Sequence, residues 1–62
     1  MNSTAPQQRR DALLKAGQAK KDEGWHEVQI RQYLEEYHID NFDMSYVTMN
    51  DDLERVFRRL FR

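Results

Sequence analysis

Asn50-Asp51-Asp52-Leu53-Glu54-Arg55-Val56-Phe57-Arg58-Arg59-Leu60-Phe61-Arg62 carries the strongest periodicity in the chain. Leu53, Val56, Phe57, Leu60 and Phe61 recur at three- and four-residue spacing and would cover a helical arc of about 140°. Arg55, Arg58, Arg59 and Arg62 fill about 100° on the other side. Thr48 and Asn50 are both good N-caps, and Asp51, Asp52 and Glu54 suit the positive end of a helix dipole. The arginines suit its negative end. The spacing predicts an amphipathic helix over about 50–61 whose apolar side must be covered by something else.

Moving toward the N-terminus, Ile30, Tyr33, Leu34 and Tyr37 fall at i, i+3, i+4 and i+7, which predicts a second helix over about 26–38. Trp25 follows Gly24 and is expected to plug the junction between helices. Val28 is an apolar residue on an otherwise charged face, which makes it a candidate contact residue. Residues 39–49 read as an ordered loop, packed down by Phe42 and Val47. Phe42, Met44 and Tyr46 alternate with polar residues as a short strand would, but a strand here has nothing to pair with except a second copy of the chain.

The first helix is expected over about 5–23. Thr4 and Gln7 have capping-box spacing, Pro6 suits a first turn, and Gly24 is the stop signal. Ala5, Ala12, Ala16 and Ala19 form a smooth stripe that allows a second backbone to come close. Residues 1–8 are expected to fray, with little order before residue 10. The fold expected is therefore all-α: a small three-helix domain over 1–62 with helices at about 5–23, 26–38 and 50–61. Its expected core is Leu13, Ala16, Trp25, Ile30, Leu34, Val47, Leu53, Val56, Phe57 and Leu60.

Sixty-two residues and 7.6 kDa exclude a two-domain enzyme. With no cysteine, neither disulfides nor a thiolate zinc site can support the small core. Ten Lys and Arg nearly balance eleven Asp and Glu, yet the charges are segregated along the chain. Residues 1–21 carry a net +4, residues 22–54 a net −9 and residues 55–62 a net +4. Such a layout is neutralised either within one fold or between copies. The N-terminal residues lack the apolar stretch of a secretory signal, and no segment is long and apolar enough to span a membrane, so a cytoplasmic location is expected.

The stretch Gly24-Trp25-His26-Glu27-Val28-Gln29-Ile30-Arg31-Gln32-Tyr33-Leu34 resembles the opening helix of resolvase-like helix-turn-helix segments. It departs from them at His26, at Arg31 and in the long segment after His38. It is similar as well to the Gly-aromatic loop and second helix of ubiquitin-associated three-helix domains. What the two resemblances share is a helix pair joined by a Gly-aromatic corner, and they imply no functional residue.

Chemistry has little to work with. His26 and His38 stand twelve residues apart with no nucleophile motif beside them, and Ser3 and Ser45 lie in the tail and the loop. Neither a calcium loop nor a glycine-rich phosphate cradle is present, so no catalytic residue, metal or cofactor is expected. Seven aromatics exceed what a three-helix core of this size needs, and aromatics with arginine are what interface centres select. The expected function is a non-catalytic regulatory or adaptor protein, an inhibitor or accessory factor, that binds another protein. Its contact residues would be Tyr46, Phe61, Arg55, Arg58, Arg59, Arg62 and Val28. The apolar side of the third helix looks too large for an alanine-rich first helix to cover, so a homodimer is expected too. The alternative is a nucleic-acid-binding regulator that lays the C-terminal arginine face along phosphates.

Overall fold

Three helices, α1 (Pro6–Asp22), α2 (Glu27–Phe42) and α3 (Tyr46–Leu60), follow one another in a computed structural model that describes residues 5–62. Pro6 opens α1 with Ala5 as its N-cap, and Ala5 offers no side-chain cap. Thr4, the expected capping partner of Gln7, lies outside the described residues. α1 closes on a Schellman turn. Gly24 takes φ +94°, its N–H reaches the Lys21 carbonyl at 3.0 Å, and the Trp25 N–H reaches the Lys20 carbonyl at 3.1 Å. A residue with a Cβ would be strained there, which is why the stop falls at this glycine.

α2 runs four residues beyond its expected end. Ile30, Leu34 and His38 recur every fourth residue on the buried side, and Phe42 continues the series with its ring edge-on to His38 at 5.0 Å. Asp43 then ends the helix in the left-handed region at φ 50°, a conformation that Asp tolerates better than most residues. α3 begins at Tyr46, four residues before the expected start at Asn50. Its cap is Ser45, whose Oγ accepts the Thr48 N–H at 3.2 Å, so Thr48 and Asn50 both lie inside the helix. The expected loop over 39–49 shrinks to Asp43, Met44 and Ser45, and the strand-like alternation of Phe42, Met44 and Tyr46 is a helix end, a linker and a helix start.

α1 and α3 run parallel, with α2 antiparallel between their ends. Arg9 meets Asp52 near the starts of α1 and α3, and Lys21 donates to the Leu60 carbonyl at their ends. The core is Leu13, Ile30, Leu34, Met49, Leu53, Val56 and Leu60. Six of the expected core residues are in it, and four are not. Ala16 and Phe57 flank it half-buried. Val47 is 77% exposed because the earlier start of α3 turns it outward, and Met49 takes the inward position instead. Trp25 is 37% exposed: it lies edge-on to Tyr33 at 5.9 Å with the Lys20 ammonium over its ring, so it shields a flank and plugs nothing.

The close approach expected of the alanine stripe is made by Gly17. A Cβ there would stand 2.7 Å from Leu60 Cδ1 and 3.2 Å from Leu34 Cδ1, so all three helices converge on one missing side chain. By this means one copy of α1 covers the apolar side of α3, and Leu53, Val56 and Leu60 are each at most 2% exposed without a second chain. Gly17→Val is expected to destabilise the fold by about 2 kcal/mol, since overpacking the core outweighs the better helix propensity. Urea unfolding followed by circular dichroism reads this directly, and unchanged stability would show that the contact is slack.

Candidate functional site

Each helix places one polar residue on its apolar stripe, one turn from a core aliphatic: Arg9 before Leu13, His38 after Leu34 and Asp52 before Val56. The three meet. Asp52 Oδ2 accepts from Arg9 Nε at 2.6 Å and lies 2.8 Å from His38 Nε2, while Oδ1 accepts from Arg10 Nε at 3.1 Å and Arg9 NH2 at 3.3 Å. His38 and Asp52 are wholly buried, and Arg9 nearly so. Burial pushes the Asp52 carboxyl up, but hydrogen bonds from Arg9, His38 and Arg10, with the charge of Arg9, outweigh it and hold the group below the usual 3.8 of an aspartate.

A His and Asp pair invites comparison with catalytic dyads, but the geometry here is structural. The remaining ring nitrogen, Nδ1 of His38, is buried and has no hydrogen-bond partner among the described residues. No substrate atom reaches a ring with zero exposure. Among the described residues, no group of three or more His, Asp or Glu side chains is placed to hold a metal ion, and no helix is long and apolar enough to cross a membrane.

The surface differs from the interior. The parallel course of α1 and α3 gathers the basic second halves of both helices at one end of the bundle, with the start of α2. Residues 15–34 and 54–62 carry eight Lys and Arg against four Asp and Glu, a net +4. At the other end, residues 5–14 and 35–53 carry two Arg against seven Asp and Glu, a net −5. The bundle is 35 Å long and about half as wide, so the two ends are distinct surfaces.

No protein-family model, curated protein or solved structure matches this chain. Its functional reading therefore rests on its own residues.

The seven candidate contact residues do not form one surface. Val28, Phe61, Arg58, Arg59 and Arg62 belong to the basic end. Val28 is 71% exposed, and Phe61 is half-buried, stacked on Phe57 at 5.5 Å with the Lys21 ammonium above it. Arg55 is exposed but engaged, its Nε 3.1 Å from Asp51 one turn earlier. Tyr46, 70% exposed, stands at the acidic end near Val47, Met44 and Ile39, all of them exposed. The basic end also borders an open groove of about 620 Å³ along α1, where Leu14 and Ala19 form the apolar part and Lys15 and Arg59 the basic part, with Asp11 and Asp22 also on its walls.

Sequence reasoning missed Arg9, His38 and Asp52. The signal was present in the spacing, since each sits one helical turn from a core aliphatic on the stripe that predicts burial. Polarity concealed it: a charged residue at an apolar-periodic position is ordinarily read as the edge of the stripe.

Proposed function

We propose that the protein is a non-catalytic binding module, regulatory or adaptor in kind, that engages an acidic surface of another protein with the basic end of its bundle. The division of its seven arginines carries this reading. Arg9, Arg10, Arg31 and Arg55 are each tied to a carboxylate. Arg58, Arg59 and Arg62 are exposed and form no ion pair or hydrogen bond among the described residues. Three cations without a carboxylate partner at one end raise self-repulsion, which the helix dipole offsets only in part, whereas arginines at the same end as Phe61 and Val28 supply the charge and apolar area that protein interfaces favour.

The same arginines support a nucleic-acid reading, but Asp22, Glu23 and Glu27 share their end of the bundle and would face any phosphate track laid across it. Capture from host lysate with the tagged chain, with and without nuclease, separates the two. The expected result is a stoichiometric protein that survives nuclease, with capture weakened about tenfold or more in Arg58→Ala/Arg59→Ala. Recovery of nucleic acid, with proteins lost after nuclease, would overturn the protein reading and promote the arginines to phosphate contacts.

A further inference from the structure

The two ends of the bundle are opposite in charge and alike in build. Each helix start that faces outward carries a valine at its second position: Val28 in α2 at the basic end, Val47 in α3 at the acidic end. Neither valine packs or caps, for Ser45 caps α3, the His26 N–H is met by Gln29, and both valines are more than 70% exposed. The acidic end that carries Val47 also exposes Tyr46, Met44 and Ile39 and holds the carboxylates of Asp40, Asp43 and Asp51. Val28 shares the basic end with Trp25 and with Arg58, Arg59 and Arg62, which form no ion pair among the described residues.

We infer that the acidic end of one copy, centred on Tyr46 and Val47, docks on the basic end of a second copy, at Val28, Arg58 and Arg59. Charge complementarity decides the partner and the direction. A net −5 surface meets a net +4 surface of the same chain, and each supplies exposed apolar area for the centre of the contact. Pairing like ends, as an end-to-end two-fold dimer would, sets carboxylates against carboxylates or arginines against arginines. Because the two surfaces lie at opposite ends of a 35 Å bundle, both can be occupied at once, so the association is heterologous and does not close at two copies. The inference rests on the proposed function in that it uses the same basic end and names what fills it.

Sedimentation velocity of the full chain, from micromolar to about 1 mM at low and moderate salt, provides the test. The expected result is a mass that rises with concentration past two copies and falls back with salt. Val47→Asp blocks the acidic end and places a carboxylate in the first turn of α3, where the helix dipole favours it, so the fold is kept. Arg58→Glu/Arg59→Glu blocks the basic end, with thermal unfolding as its check. Each variant alone is expected to sediment as one chain, and an equimolar mixture as a pair that grows no further, since only one open end of each kind remains. Wild-type chain that stays single at about 1 mM and low salt overturns the contact, as does Val47→Asp that still self-associates or a mixture that fails to pair. If the chain stays single while Arg58→Ala/Arg59→Ala still abolishes capture of a different protein, the head-to-tail contact falls and the binding-module reading stands; loss of both sinks both.

Discussion

Asp52→Ala is expected to lower stability by about 3–5 kcal/mol, the cost of leaving buried charged partners without their counterion. A chain of this length has about 3–9 kcal/mol in total at typical per-residue values, so the variant should be largely unfolded on warming to 37 °C. Two guanidinium groups and an imidazole converge on this one carboxylate. Asp52→Asn should cost less, because the amide keeps one acceptor oxygen and the same volume. The wild type should also be acid-labile. Since the folded-state carboxyl ionises below its ordinary 3.8, the unfolded chain takes up the proton first, and stability fully present above that value is lost as pH falls through the folded one. Thermal unfolding between pH 3 and pH 6 is the measurement: the wild-type midpoint should fall at the acid end of the range, and Asp52→Ala should lose that part of the dependence. A variant as stable as wild type would show that the three-helix junction holds nothing together.

Leu34→Ala is the second large effect, at about 3–4 kcal/mol. Leu34 is wholly buried, and its Cδ1 fills the space above Gly17. Large-to-small changes cost most where neighbours cannot collapse into the void, and Gly17 has no side chain to move in. That gives the prediction an internal control. Gly17→Ala added to Leu34→Ala should recover about 1 kcal/mol, because Leu60 Cδ1, which the new methyl would meet at 2.7 Å, can shift into the space Leu34 vacates and alanine is the better helix former. In the wild-type background the same Gly17→Ala change meets Leu60 and Leu34 and should not yield that gain. Urea midpoints for the four proteins of this cycle decide it, and strict additivity would show that residues 17 and 34 do not share a cavity.

Much of the architecture was legible in the sequence. The stripes of α2 and α3 and the stop at Gly24 specify three helices and five of the core residues, with Leu13 of α1 as the sixth, because burial of a 3.6-residue stripe and glycine's tolerance of positive φ are local rules. Less legible were the bounds of α2 and α3. The sequence places the cap at Thr48 or Asn50, whereas the cap used is Ser45, a choice that depends on His38 and Phe42 packing against the other helices and not on propensity.

The functional surface divides in the same way. Spacing predicted a basic arginine face and composition showed surplus aromatics, and both remain exposed in part: Tyr46, Val28, Arg58 and Arg59 are all at the surface. Their grouping was not readable, because Tyr46 is only twelve residues from Arg58 in sequence yet occupies the opposite end of the same helix. The sequence by itself determined an all-α chain, the apolar stripes of α2 and α3 and the alternation of basic, acidic and basic segments. Only the tertiary structure decided that a parallel α1 and α3 turn that alternation into two oppositely charged ends, and that Arg9, His38 and Asp52 belong inside. The physical reason is that a charge is buried only when partners from distant segments arrive together, and no local pattern records their arrival.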